Sequence, residues 1–266
     1  MPDIYVTIEQ ADVAVQEQLA DVLELRAADP QQRAMLENYL ADLSPPDGAR
    51  VLEVGCGTGA VSRAIAELLP VRQVVGVDPS PVFIERAQET SQSPALSFER
   101  GDARDLPFGD GSFDAVVLHT ALCHIPGPEG VLAEAARVTA ADGRLAVFDG
   151  DYVTTTVATY QSDPLQACAD AAVGSLVYDP LLVRRLPALA RGAGWDVVRL
   201  RSHGYVETDS PGYMLTLVDR GADTLVADGR LGPSAAEALK AEARRRVDAG
   251  TFFGHIAYAS LIARRG

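Results

Sequence analysis

The fold is decided by Val51-Leu52-Glu53-Val54-Gly55-Cys56-Gly57-Thr58-Gly59, a stretch in which an apolar run ends in three closely spaced glycines. A helical pattern follows from Ala60. Because glycine tolerates positive φ angles and lets a ligand approach the backbone, such a turn is typical of a binding loop. In an open parallel sheet, ligands bind at the carboxyl ends of the strands. The stretch therefore predicts a strand, a ligand-binding loop and a helix.

The segment around this stretch alternates short apolar strands with helices. The predicted strands are 51–54, 73–78, 96–99, 113–118 and 144–149, and the predicted helices are 60–69, 81–90 and 129–138. Apolar strands separated by helices indicate an α/β fold with a parallel sheet covered on both faces. Further along, the pattern predicts irregular or helical structure over 152–178, a helix over 180–191, a strand over 195–205, a helical insertion over 211–249 and a final strand over 251–264.

The N-terminal region has a helical pattern without the strands of the alternating segment. Residues 9–43 have apolar side chains near the helical period, and Asp29-Pro30 is typical of a helix start. Residues 44–48 form a strong breaker cluster. The sequence therefore predicts an N-terminal helical cap over 1–48 and a main domain over 49–266, with inserted lids near 152–178 and 209–250.

Composition excludes several classes of partner. Lys and Arg number 23 against 37 Asp and Glu, a net charge of −14, so we expect no nucleic-acid partner. The three cysteines, Cys56, Cys123 and Cys168, lack disulfide-framework or zinc-finger patterns, which favours a reducing compartment. No basic-then-apolar leader is visible, and no apolar run approaches the roughly 20 residues that span a bilayer. We therefore expect a cytoplasmic protein without membrane insertion.

Three acidic residues indicate which ligand the loop binds. Glu53 ends the first strand, where a carboxylate would face an ammonium group and repel a pyrophosphate. Asp78 ends the second strand, where it can accept hydrogen bonds from both ribose hydroxyls. Asp102 follows the third strand, where a carboxylate can accept from an adenine amino group. An ammonium, a ribose diol and an adenine, in that order, describe S-adenosylmethionine.

Residues 50–149 resemble the core of class I S-adenosylmethionine-dependent methyltransferases, close to the ubiquinone/menaquinone-biosynthesis-like small-molecule group. The matching motifs are the opening stretch, Gly76-Val77-Asp78-Pro79-Ser80, Gly101-Asp102-Ala103 with Leu106-Pro107-Phe108, Phe113-Asp114-Ala115-Val116-Val117, and Arg137-Val138 followed by Gly143-Arg144-Leu145. The resemblance implies a doubly wound, seven-stranded, Rossmann-like sheet in the order 3-2-1-4-5-7-6 with strand 7 antiparallel. It also implies that the N-terminal helices and helical insertions cover the substrate.

The resemblance also implies a set of residues that bind S-adenosyl-L-methionine. The methionine part would contact Glu53, Gly55 and Gly57. The ribose and the edge of the base would contact Asp78 and Pro79. The adenine would contact Asp102 and Ala103. The set is completed by Cys56, Gly101, His119, Thr120 and His124. Gly59 has two equal interpretations, since it can contact the ligand or only permit helix–sheet packing.

Candidates for catalysis follow the fourth and fifth strands. His124 can contact the cofactor or act as a general base, because a neutral imidazole accepts a proton near pH 7. Asp149 can orient or deprotonate a substrate, with a solvated acidic turn as the equal alternative. The candidate substrate residues are Tyr5, Tyr152, Phe252 and His255, although aromatic residues here are also typical of sheet core. An arginine of the N-terminal helices, Arg26 or Arg33, could pair with the cofactor carboxylate.

The predicted function is methylation of a small organic molecule, a secondary metabolite or quinone-like compound, at oxygen or carbon. We expect a monomer or homodimer and no metal site. One alternative is a cyclase or decarboxylase that binds the same cofactor, and a second is a non-catalytic partner subunit, which the intact glycines disfavour. The third is a NAD-dependent oxidoreductase, because Gly55-x-Gly57-x-x-Ala60 also fits the dinucleotide fingerprint, although Glu53 disfavours it.

Overall fold

The strands form one seven-stranded sheet in the computed structural model, which describes residues 3–209 and 211–266. They are β1 (Ala49–Val54), β2 (Val71–Asp78), β3 (Leu96–Arg100), β4 (Phe113–His119), β5 (Thr139–Thr156), β6 (Trp195–Glu207) and β7 (Gly254–Arg265). Their order is β3-β2-β1-β4-β5-β7-β6, with β7 antiparallel. The predicted fold class and strand order are therefore confirmed.

The helices follow the predicted alternation in the first half of the chain. They are α1 (Val13–Ala27), α2 (Pro30–Leu43), α3 (Ala60–Leu68), α4 (Pro81–Thr90), α5 (Pro128–Val138), α6 (Leu165–Leu176), α7 (Leu182–Gly192), α8 (Tyr213–Ala227) and α9 (Pro233–Asp248), with short 3₁₀-helices at Ile4–Gln10 and Leu122–His124. Asp29 caps α2 as predicted, because its side chain accepts hydrogen bonds from the backbone N–H groups of Gln31 and Gln32. Ser80 caps α4 in the same way.

The chain divides into two structural units. The larger unit comprises Ile4–Asp149, Leu182–Arg201 and Ala259–Gly266, and the smaller comprises Met1–Asp3, Gly150–Leu181 and Ser202–Tyr258. β5, β6 and β7 each pass from one unit into the other. The predicted division at residue 48 and the predicted lids stay predictions.

The parallel core of the sheet lies in the larger unit. β1 pairs in parallel with β2 and β4, β2 with β3, and β4 with β5. Val51 and Leu52 of β1 and Val116 and Val117 of β4 are fully buried, as expected for strands covered on both faces. Each such side chain stabilises the fold by about 1.5–3 kcal/mol. Because these strands are parallel, their carboxyl ends meet at the edge that carries the glycine loop.

Two stretches differ from the sequence prediction. Residues 152–156 were expected to be irregular or helical, but they extend β5 as far as Thr156. The reason is local, because the β-branched run Val153-Thr154-Thr155-Thr156-Val157 favours a strand and alternates in burial. Residues 251–253 lie outside β7, which begins at Gly254. The insertion over 211–249 is helical as predicted and forms α8 and α9.

The smaller unit contains α6, α8 and α9. Gly221 of α8 packs so closely on α6 that a Cβ there would overlap the carbonyl group of Cys168. Arg246 of α9 is buried, and its guanidinium pairs with the two carboxylate oxygens of Asp163 at 2.5 and 3.0 Å. Glu242 accepts a further hydrogen bond from Arg246 Nε at 2.7 Å. The charges of the buried Asp163–Arg246 pair are therefore neutralised within this unit.

Within the two described ranges, no three His, Cys, Asp or Glu side chains lie close enough to share a metal ion. The helices of this part of the chain include none that is long and apolar enough to cross a membrane. Cys56, Cys123 and Cys168 are buried and are not disulfide-bonded.

Candidate active site

A cavity of about 260 Å³ opens at the carboxyl ends of β1, β2 and β4, within the larger unit. Its wall contains every residue predicted to bind the cofactor, namely Glu53, Gly55, Cys56, Gly57, Asp78, Pro79, Gly101, Asp102, Ala103, His119, Thr120 and His124. The predicted substrate residue Tyr5 also lies on this wall. Residues that are far apart in sequence thus converge on one site.

The glycine loop of this cavity needs glycine for both conformation and space. Gly55 and Gly57 have φ angles of +73° and +51°. A Cβ on Gly55 would lie 2.5 Å from the Cβ of Ala121, and one on Gly57 would lie 2.9 Å from Leu23 Cδ1. Gly59 (φ +76°) is different, because its Cβ would meet the Phe98 ring at 2.7 Å and it does not line the cavity. Of its two interpretations, helix–sheet packing is the one that agrees with this geometry.

Glu53 is buried at the end of β1 and accepts a hydrogen bond from the Ser62 hydroxyl of α3. Burial raises the pKa of Glu53 to about 8, and the hydrogen bond from Ser62 offsets only part of that rise. The negative charge of nearby Asp78 raises it further. An ammonium group in the cavity would favour the ionised form, because it supplies the opposite charge.

Asp78 is fixed at the end of β2 by two backbone donors. Its Oδ2 accepts from the N–H of Gly57 at 2.9 Å, and its Oδ1 accepts from the N–H of Ser80 at 2.9 Å. Burial raises the pKa of Asp78 to about 6 despite these hydrogen bonds. Since a carboxylate oxygen has more than one acceptor position, both oxygens can still accept from a ligand hydroxyl.

Asp102 lies at the more exposed part of the cavity wall. The guanidinium of Arg104 donates two hydrogen bonds to this carboxylate, from Nη2 to Oδ2 at 2.7 Å and from Nε to Oδ1 at 3.0 Å. The hydrogen bonds from Arg104 lower the pKa of Asp102, so the carboxylate is ionised at neutral pH. The sequence did not indicate this partner, and the role of Asp102 toward adenine stays a prediction.

His119 is held at the end of β4 by two aromatic neighbours. Its ring stacks on Phe148 with centroids 4.8 Å apart, and its Nδ1 lies 3.0 Å from the hydroxyl of Tyr39 in α2. Burial, together with the positive charge of Arg26, lowers the pKa of His119 to about 3. The imidazole is therefore neutral throughout the physiological pH range.

Arg26 and Arg33 both reach the cavity wall but have different surroundings. Arg33 pairs with Glu37 at 2.8 Å and Glu67 at 3.2 Å on the surface. Arg26 Nη1 donates to the hydroxyl of Thr120, a residue with φ +49°, at 3.3 Å. Arg26 is therefore the better placed of the two arginines for a ligand at the strand ends.

The two predicted catalytic residues occupy different environments. His124 lies on the cavity wall, where its ring is 4.6 Å from the ring of Tyr5. Asp149 is fully buried and is not part of the wall. Its Oδ2 accepts from the N–H of Cys123 at 3.0 Å, which fixes the turn that carries His124. Catalytic roles for both residues stay predictions.

The remaining predicted substrate residues belong to the smaller unit. Tyr152 in β5 and Phe252 just before β7 are buried. His255 in β7 is half-buried, and its ring is parallel to that of Phe253 with centroids 6.5 Å apart. Their contact with a substrate stays a prediction.

Thr58 lines the cavity, although the sequence did not predict a role for it in ligand binding. It is 1% exposed, and its hydroxyl has no hydrogen-bond partner among residues 3–209 and 211–266. A buried polar group without a partner costs about 1–3 kcal/mol. A ligand with a polar group beside the glycine loop would remove this cost, and the position of Thr58 between two glycines was the available signal.

Comparisons with known proteins agree with this geometry. Residues 52–147 match the family described as a methyltransferase domain. The phthiotriol/phenolphthiotriol dimycocerosates methyltransferase of Mycobacterium tuberculosis is 31% identical over 192 residues, 66% of this chain and 71% of that protein. The sterol 24-C-methyltransferase of Aspergillus fumigatus is 38% identical over 124 residues, 45% of this chain and 33% of that protein. The chain spans about half the length of the first curated relatives that it matches.

The fold has solved counterparts at low identity. The [4+2]-cyclase SpnF aligns over 100% of this chain and 98% of its own, with a TM-score of 0.59 and 21% identity, which shows a shared fold alone. From the sequence matches, the chain belongs to the class I S-adenosylmethionine-dependent methyltransferases, and its cofactor is S-adenosyl-L-methionine. The buried Thr58 hydroxyl and the acids at the strand ends fit a ligand that carries an ammonium group and hydroxyl groups.

Proposed function

We propose that the protein transfers a methyl group from S-adenosyl-L-methionine to a small organic molecule, a secondary metabolite or quinone-like compound, at oxygen or carbon. The observation that carries the proposal is the convergence of Glu53, Asp78 and Asp102 on one cavity beside a glycine loop. Relatives named for phthiotriol dimycocerosates and for a sterol support a small organic acceptor. A NAD-dependent oxidoreductase is disfavoured, because the matching family and these relatives are methyltransferases.

Each part of the cofactor has a proposed partner in the cavity wall. Glu53 faces the ammonium group, Asp78 the ribose hydroxyls and Asp102 the adenine amino group. Arg26 binds the carboxylate, a role that suits the planar guanidinium fork. The Thr58 hydroxyl supplies a further hydrogen bond at the loop. When bound, the cofactor supplies an electrophilic methyl group on a sulfonium sulfur.

The chain's own contribution to methyl transfer is orientation and proton transfer. The cavity wall positions the acceptor close to the methyl group and excludes water, which lowers the barrier through proximity. His124 accepts the proton of an O–H or activated C–H acceptor, and Tyr5 packs on its ring. Asp149 supports this by holding the turn at Cys123. Tyr5, on the same cavity wall as His124, contacts the acceptor.

The proposal extends to the setting in which the protein acts. The net charge of −14 supports a protein that works without a nucleic-acid partner. We propose a cytoplasmic monomer or homodimer whose partner is its small-molecule substrate.

Calorimetry with two ligands tests the cofactor assignment that underlies this function. S-adenosylhomocysteine is expected to bind the wild-type protein, and NAD is expected not to bind at the same concentrations. Binding of NAD together with no binding of S-adenosylhomocysteine would overturn the proposal. An incubation with labelled S-adenosylmethionine and candidate phenols and quinones then reports the methylated acceptor by mass.

A further inference from the structure

α1 buries a glutamine where a helix normally buries an apolar side chain. Gln16 is 2% exposed, whereas Val13 and Leu25 of the same helix are largely exposed. A buried amide is costly unless both of its ends are hydrogen-bonded. Both ends of Gln16 are satisfied, because Nε2 donates to the carbonyl of Ala11 at 2.8 Å and Oε1 accepts from the Ser80 hydroxyl at 2.6 Å.

The Ser80 end of this link leads to the proposed ribose-binding carboxylate. Ser80 is fully buried in the turn after β2, and its N–H donates to Asp78 Oδ1 at 2.9 Å. Its hydroxyl also accepts from the N–H of Phe83 at 3.1 Å, which caps α4. The hydroxyl therefore stands between Gln16 and the turn that orients Asp78.

The Ala11 end of the link leads to another segment of the cavity wall. Ala11 directly follows the 3₁₀-helix Ile4–Gln10, which contributes Tyr5 and Ile8 to the cavity wall. Ile8 packs in an apolar cluster with Ala20 of α1 and Phe83 of α4. Gln16 thus connects the N-terminal wall of the cavity to the turn at the end of β2.

We propose that Gln16 is a positioning residue for cofactor binding, which joins the N-terminal wall segment 4–11 to the Asp78 turn through Ser80. The inference rests on the proposed role of Asp78 toward the ribose. Gln16 itself is not part of the cavity wall, so it acts through its two neighbours. Without this link, the turn at Ser80 and the wall segment 4–11 become more mobile. The ribose hydroxyls then bind to an Asp78 carboxylate that is less well ordered.

The test compares two variants of α1. One removes the contact of α1 with Ser80, the capping residue of α4, and the other removes a contact of α1 with α4 itself. Gln16→Met keeps the volume of the side chain and removes both hydrogen bonds. Asp21→Ala is the matched control, because Asp21 pairs at the surface with Arg86 of α4 at 3.1 Å and has no link to Asp78. Calorimetry measures the affinities of both variants and of the wild type for S-adenosylhomocysteine and for its 2′-deoxy analogue.

Gln16→Met is expected to weaken binding of S-adenosylhomocysteine about tenfold, the size of one charge-assisted hydrogen bond. Its affinity for the 2′-deoxy analogue should fall much less, so that the preference for the full ribose decreases. The control should bind both ligands as the wild type does. Hydrogen exchange should show that S-adenosylhomocysteine protects the amides of residues 4–11 in the wild type and in the control, but less in Gln16→Met.

The outcomes separate this inference from the proposed function. A wild-type protein that binds no S-adenosylhomocysteine would overturn both. Suppose instead that the wild type binds S-adenosylhomocysteine. The positioning role alone is then overturned if Gln16→Met has unchanged affinities for S-adenosylhomocysteine and its 2′-deoxy analogue, or if both affinities fall by the same factor. If Gln16→Met does not fold, Ser80→Ala breaks the same link from its other end, and the same change in ribose preference is required of it.

Discussion

The pKa values of buried carboxylates are shifted in opposite directions in the two units of the molecule, as Glu53 and Asp78 of the larger unit and Asp163 of the smaller unit show. In the larger unit, Glu53 and Asp78 are held by hydroxyl and backbone donors, and burial raises their pKa values to about 8 and about 6. In the smaller unit, burial also acts to raise the pKa of Asp163, but hydrogen bonds, above all those from Arg246, outweigh it and lower the pKa. A buried acid with a fixed cation is part of the scaffold, whereas an acid without one is suited to bind a cationic or hydroxylic ligand.

The largest expected effect concerns the scaffold pair. Asp163→Ala should lower the free energy of unfolding by about 3–5 kcal/mol, because the buried guanidinium of Arg246 loses the carboxylate that pairs with both of its Nη atoms and keeps Glu242 at Nε. Urea denaturation measures the loss. The double variant Asp163→Leu/Arg246→Met, which removes both charges, should recover much of it. An Asp163→Ala protein as stable as the wild type would show that the pair does not hold the smaller unit together.

A glycine of the larger unit provides the next effect. Gly59→Ala should destabilise the protein by about 3 kcal/mol, since φ +76° is strained for alanine and the new Cβ meets the Phe98 ring. Thermal unfolding measures the change. Gly59→Ala combined with Phe98→Leu should recover the steric part alone. A Gly59→Ala protein with wild-type stability but weakened binding of S-adenosylhomocysteine would instead make Gly59 a ligand contact.

The raised pKa of Glu53 predicts a pH dependence that the smaller unit does not share. Between the usual carboxyl pKa and about 8, the folded ligand-free protein binds more protons than the unfolded chain, so its stability falls as the pH rises. Glu53→Gln should remove about 3 kcal/mol of this decrease between pH 5 and pH 8. Urea midpoints across that range measure it. Parallel curves for Glu53→Gln and wild type would mean that Glu53 is ionised in the ligand-free protein.

The smallest effect is expected at the buried contact between α2 and β4. Tyr39→Phe removes the hydrogen bond to His119 Nδ1 and should cost about 1 kcal/mol of stability. His119 should remain neutral down to pH 5 in both proteins, because its lowered pKa arises first from burial. Proton NMR of the imidazole follows the titration. A His119 that titrates near pH 6.5 in the wild type would contradict the neutral state of this ring.

The sequence predicted most accurately where local signals and the family resemblance coincide. The helix at 81–90 matches α4, because Ser80 and Pro81 mark its start directly. The strand order and the convergence of the glycine loop with Asp78 followed from the resemblance. The family match over 52–147 ends before the segments of the smaller unit that start at Gly150, and there the sequence did not predict the extension of β5 to Thr156. The β-branched run at 153–157 is the local signal that favours this extension.

The partners of polar side chains could not be predicted from the sequence. Arg104 stands two positions after Asp102, but nothing in the local pattern showed that the two side chains would pair at the cavity wall. Tyr39 reaches His119, and Gln16 reaches Ser80, across long stretches of chain. Helical periodicity predicts which face of a helix is buried, not which polar partner it meets. The residues that shape the site around the motifs therefore required the three-dimensional structure.

The central claim is that acids at the strand ends bind S-adenosyl-L-methionine, and Asp78 tests it most directly. Calorimetric titration of S-adenosylhomocysteine into wild-type and Asp78→Ala protein is the measurement, with the urea midpoint of each as the folding control. The account predicts that the variant folds and loses at least about 100-fold in affinity, because both ribose hydroxyls lose a charged acceptor. Retained affinity in a folded Asp78→Ala protein would contradict it.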